Sequence, residues 1–86
     1  MARPNIASLI RNSELFTKAP LLELAGDNRI LVENHQGVLA YSLEEVHIKV
    51  AYGKLTIIGN NLNIKQMSKE QLVISGLVDE IRLFRR

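Results

Sequence analysis

The chain has no cysteine. That excludes disulfides, thiolate nucleophiles and cysteine-ligated zinc together, and it fits a reducing compartment without demanding one. No apolar run approaches the ~20 residues that a membrane-spanning helix needs. Arg3 and Arg11 interrupt the N-terminal stretch where a secretory signal would carry its apolar core, which disfavours secretion. Aromatic residues are scarce. Phe16, Tyr41, Tyr52 and Phe84 are all there are, and the strand region is acidic on balance, so a stacking platform for single-stranded nucleic acid is disfavoured. Tyr41 and Tyr52 suit the edge of a core, ring inside and hydroxyl in water. No G-x-S-x-G elbow surrounds any serine, and the five glycines are dispersed at turns rather than gathered into a phosphate-binding loop.

What is present is a small domain's worth of aliphatic side chains. At 86 residues a lone hydrophobic core is barely sufficient, and association is a common source of further stability. Net charge is +2, but it is unevenly spread. Arg3, Arg11, Arg82, Arg85 and Arg86 stand near the two ends, and the rest of the chain sets six Lys or Arg against all nine acids. Basic ends on a mildly acidic body suit contact with phosphate or an anionic lipid surface; equally, they keep a small domain soluble.

The hydrophobic period divides the chain in two. Residues 1–20 form an arm. Pro4, Ile6, Leu9 and Ile10 suit a short helix, which either docks or is disordered, and residues 13–20 read as a linker. From Leu21 to Arg86 the period is two, with β-branched residues common and turn-prone breaks after Ala25, Glu33, Ala51, Ile58 and Gln66. We expect an all-β domain of about eight short, mainly antiparallel strands, in a sandwich or a partly closed barrel.

Within it, L-x-aliphatic-x-G occurs three times, at LELAG (22–26), LTIIG (55–59) and LVISG (72–76). Each central aliphatic is followed seven residues later by another: Leu24 and Leu31, Ile57 and Ile64, Ile74 and Ile81. For the first two copies this reads as a hairpin, with turns at Asp27-Asn28 and Asn60-Asn61. Leu24 would then face Leu31, Ile57 would face Ile64, and Leu55 would face Gln66. In the third copy valine suits a left-handed turn poorly. A single bent strand from Leu72 to Phe84, with a bulge at Gly76, fits better.

No constellation of reactive groups emerges. His35 and His47 lie on separate elements and cannot supply the three or four ligands of a metal site. The doublets Glu44-Glu45 and Asp79-Glu80 point to opposite faces of their strands. We expect no catalytic, cofactor-binding or metal-ligating residue, and a binding protein rather than an enzyme.

Three stretches then carry a likeness: GDNRILVENHQGVLAYS (26–42), GKLTIIGNNLNIKQM (53–67) and LVISGLVDEIRL (72–83). In order and spacing they resemble the YabP/YqfC family of sporulation proteins, on the YqfC side, over about three-quarters of the chain. The most distinctive piece is Glu33-Asn34-His35-Gln36-Gly37, a candidate interaction loop that also reads simply as a turn. The resemblance implies a role in endospore formation in the mother-cell cytoplasm, with no known enzymatic activity or cofactor. The expected partners are proteins of spore assembly, including further copies of the chain. The alternative is peripheral binding to an anionic membrane surface or nucleic acid through Arg3, Arg11, Arg82, Arg85 and Arg86.

Overall fold

A computed structural model describes residues 19–85. The N-terminal helix or arm, with Arg3 and Arg11, lies outside the described residues, as does Arg86. Six strands follow in order: β1 (Leu21–Ala25), β2 (Arg29–Glu33), β3 (Val38–Tyr41), β4 (Glu45–Val50), β5 (Gly53–Met67) and β6 (Gln71–Arg85). All pair antiparallel in one sheet, ordered β1-β2-β6-β5-β4-β3. The all-β expectation holds. The expected eight strands are six, and they form one continuous sheet.

The strand count differs because Asn60-Asn61 does not reverse the chain. Both residues lie inside β5, where Gly59 pairs with Val78 and Asn60 with Leu77. Ile57 therefore faces Ile81, Leu55 faces Leu83, and Ile64 faces Ile74. Asn61 does take the left-handed conformation expected of it (φ 53°). It uses that conformation for a bulge, which needs the same backbone twist as a tight turn. The first hairpin does form between β1 and β2, but through a three-residue loop, Gly26 to Asn28. Leu24 consequently pairs with Ile30 rather than Leu31.

The recurring spacing of seven now has a physical cause. Side chains on a regular strand return to the same face at even intervals, so an odd interval between two core residues requires one register inversion. On β5 the inversion falls beside Asn61, where two residues, Asn61 and Leu62, oppose the single Gly76, so that Ile57 and then Leu62 and Ile64 reach the core side. On β6 it falls at Asp79, the unpaired residue between Glu80 opposite Ile58 and Val78 opposite Gly59. The long bent β6 is as expected; its extra residue sits at Asp79 instead of Gly76.

Two copies of the repeat are thus equivalent places in the fold. L55-T-I57-I-G59 lies beside β4, and L72-V-I74-S-G76 lies beside β2. At the end of each, the long strand receives the turn of the neighbouring hairpin. Gly59 N–H donates to Glu44 O and Leu62 N–H to Leu43 O; Gly76 N–H donates to Asn28 O and Val78 N–H to Asp27 O. The glycines are required by contact. A Cβ on Gly59 would stand 1.9 Å from Leu77 O, and one on Gly76 would stand 2.6 Å from Asn61 O, at a φ of +127°.

Chain connectivity shows that the sheet bends back on itself at these glycines. Glu33 lies opposite Gln71 at the start of β6, whereas Val38 lies opposite Ile48, then Leu55, then Leu83 near its end. Those two levels of β6 would be about 40 Å apart on a straight strand. The five links from Glu33 to Val38 reach about 18 Å at most. The two halves therefore fold toward each other. Their facing side chains (Ile30 and Val32 of β2, Val46, Ile48 and Val50 of β4, Leu55, Ile57 and Leu62 of β5, Leu72 and Ile74 of β6) make one buried cluster.

The close approach at Gly59 predicts that Gly59→Ala lowers stability by about 3 kcal/mol or more, since backbone rather than a flexible side chain must move. Gly37→Ala, with open space but a φ of +119°, should cost about 1–2 kcal/mol through backbone strain alone. Urea denaturation followed by circular dichroism separates the two. Equal, small losses would mean that β5 and β6 do not cross so closely.

Candidate functional site

The short connection that joins the two halves is the loop singled out by sequence, Glu33 to Gly37. It is tied down on both sides. Asn34, left-handed at φ 62°, donates its N–H to Glu70 O in the β5–β6 turn, and its side-chain Nδ2 donates to Ala19 O at 3.0 Å. Gln36 N–H donates to Lys49 O, and Lys49 N–H returns a bond to Gly37 O. One end of the loop thus holds the β5–β6 turn and the other holds β4.

Between those ties His35 is buried, and both its nitrogens are engaged. Gly37 N–H donates to Nδ1 at 3.0 Å, and Nε2 lies 2.9 Å from Ser68 O. Because Nδ1 accepts, the ring proton sits on Nε2 and is donated to Ser68. With both nitrogens occupied, the imidazole has no lone pair left for a metal or a substrate. Ser68 is itself held in a tight turn, its Oγ accepting Gln71 N–H at 3.0 Å. Beside the loop, a groove of about 650 Å³ opens to solvent between Gln36, Val38, Met67 and Lys69. Gln36 is exposed beside the groove, and the buried His35 also lines it, together with Gly37 and Ser68.

A second hydrogen-bonded line runs across the opposite face. Thr56 Oγ1 lies 3.2 Å from His47 Nδ1, and His47 Nε2 lies 3.0 Å from Glu45 Oε1. The order hydroxyl, imidazole, carboxylate is that of a nucleophilic triad. Thr56, however, is 3% exposed, so a substrate carbonyl carbon has no open path to its hydroxyl. The line arises because Glu45 and His47 share a face two residues apart and His47 pairs across the ladder with Thr56. Among the described residues, no three His, Asp or Glu side chains converge where a metal ion could sit. No helix among them is long and apolar enough to cross a membrane.

Of the arginines of the sequence expectation, Arg82 and Arg85 fall among the described residues. Arg82 is paired with Glu80, Nη2 to Oε2 at 2.8 Å, while Arg85 lies at the far end of β6. Sequence reasoning missed the partners of the Glu33–Gly37 loop, namely Ser68, Glu70 and Lys49. Only S-K-E-Q as turn-prone residues hinted at them, and nothing local marks a carbonyl as the acceptor of a distant histidine.

A model of the YabP family matches residues 17–85. The chain is also 33% identical over 69 residues to the "Uncharacterized protein YqfC" of Bacillus subtilis (strain 168), covering 80% of this chain and 74% of that one. No solved structure gives a significant match. The matched span includes every described strand and the whole loop.

Removing the imidazole strands the Gly37 N–H and the Ser68 carbonyl, each at a cost of about 1–3 kcal/mol. His35→Ala is therefore expected to destabilise the domain by about 2–4 kcal/mol and to speed hydrogen exchange at Gly37. His47→Ala, which takes one partner from the Thr56 hydroxyl but opens it to water, should cost about 1 kcal/mol or less. Comparable losses for both variants would remove the special role given to His35.

Proposed function

The chain belongs to the YabP family, and from that membership together with the open sheet we propose a non-enzymatic interaction module in endospore formation, acting in the mother-cell cytoplasm as a scaffold or accessory factor. The observation that carries the reading is the state of the outer strands. Among the described residues, β1 and β3 each pair on one side only. On β1, Leu22 and Leu24 pair with the fully buried Val32 and Ile30, yet they are themselves 36% and 50% exposed. The apolar layer of the core runs out to a bare edge there.

An unpaired edge with apolar side chains is a template for another strand, which adds main-chain hydrogen bonds and covers the leucines in one step. β3 is similar, with Leu39 and Tyr41 exposed and Leu43 just beyond it. A second copy of the chain supplies such a strand, and a domain of this size gains stability by taking it. The buried His35 and Thr56 support a binding role over catalysis.

Size-exclusion chromatography with light scattering is expected to show the wild-type chain larger than a monomer at tens of micromolar. Leu24→Lys should shift it to monomer with little change in Tm, because Leu24 is already half exposed. A wild-type monomer at high micromolar concentration would sink the self-association.

A further inference from the structure

The outer face of the half built from β3, β4, the start of β5 and the end of β6 carries three cross-strand rows. Nearest the bend is Glu45–Ile58–Glu80; next comes His47–Thr56–Arg82; at the far tip stands Lys49–Lys54–Phe84. In the first two rows each carboxylate has a hydrogen-bonding partner in the neighbouring row. Glu45 meets His47 at 3.0 Å and Glu80 meets Arg82 at 2.8 Å. The tip row has no such complement. Lys49 and Lys54 lie directly opposite each other, and among the described residues neither has an acidic group within 4.0 Å. Like charges placed across a ladder repel, so folding alone gives no reason for this pair.

What surrounds the two lysines is apolar and basic. A groove of about 370 Å³ lies between Leu39, Val50, Phe84, Lys49, Lys54 and Arg85, with no acid in its lining. Lys54 Nζ stands 5.1 Å above the Phe84 ring. Leu39 and Phe84 are 57% and 47% exposed, and Tyr52, in the β4–β5 turn at the same tip, is 39% exposed. Among the described residues, three cations with no acidic group within 4.0 Å therefore share one end of the molecule with three exposed apolar or aromatic side chains.

We propose that this tip docks on an anionic membrane surface, with Lys49, Lys54 and Arg85 among the lipid phosphates and Leu39, Tyr52 and Phe84 entering the headgroup boundary. A bilayer interface accepts both chemistries at once and demands no matching shape. An acidic protein segment would satisfy the cations but would leave the protruding Leu39, Tyr52 and Phe84 in need of a separate fitted pocket. The tip shares no residue with the β1 edge and only Leu39 with the β3 edge, and Lys49 and Lys54 belong to neither, so docking and self-association can fail separately.

Flotation of the full chain with vesicles tests this, comparing phosphatidylcholine alone with an equal mixture of phosphatidylcholine and phosphatidylglycerol. Binding is expected only to the anionic vesicles and should weaken as salt rises. Lys49→Gln with Lys54→Gln should reduce it about 30-fold, at roughly a fivefold loss per lysine. Because that variant removes a repulsion, its Tm should hold or rise, which excludes unfolding as the cause. Lys65→Gln with Lys69→Gln, the same charge change elsewhere, should leave most of the binding. The proposal is overturned by absence of wild-type binding at low salt or by equal loss in the two double variants. Capture of polyglutamate with no vesicle binding would overturn it in favour of an acidic protein partner.

Discussion

The fold depends on a clasp. A sheet whose two longest strands bend back on themselves must hold its ends together, and the five links between β2 and β3 are what do so. Within them the His35 ring bridges the Gly37 amide and the Ser68 carbonyl, while Asn34 and Gln36 bond to Glu70 and Lys49 on either side. Each tie is an ordinary hydrogen bond. Their importance comes from what they close: with the ends joined, the facing aliphatic side chains are sealed from water and contribute most of the stability.

The bend at the other end is set by what is missing. Gly59 and Gly76 permit β5 and β6 to approach where any side chain would meet a carbonyl, and a bulge beside each bend restores the buried face after the change of direction. The two hairpins, β1–β2 and β3–β4, then attach in equivalent ways, each handing its turn to the glycine of the long strand beside it. Clasp and bend are complementary: one shortens the path between the halves, and the other makes the shorter path accessible without strain.

The chemistry available to the molecule follows from this economy. Its polar groups are largely consumed in holding the backbone, as with His35, or in crossing the ladder, as with His47 and Thr56. What remains unspent lies at the periphery, in the bare edges of β1 and β3 and in the basic, apolar tip.

Extended, one-sided strands were legible in the chain because alternation depends only on neighbours two residues apart. Asn61 and Gly76 as places of left-handed backbone, and Gly59 as a place that needs room, were legible for the same local reason. The Glu33–Gly37 loop stood out as a unit, but its anchoring did not, since the Ser68 carbonyl that holds His35 Nε2 lies 33 residues away in a turn whose side chains do not mark it as a partner. Only the tertiary structure decided that Asn61 makes a bulge and not a hairpin turn. A left-handed residue serves either purpose, and the choice goes to whichever partner strand offers the longer ladder. For β5 that partner is β6 along nearly its whole length, and no property of the local sequence records it.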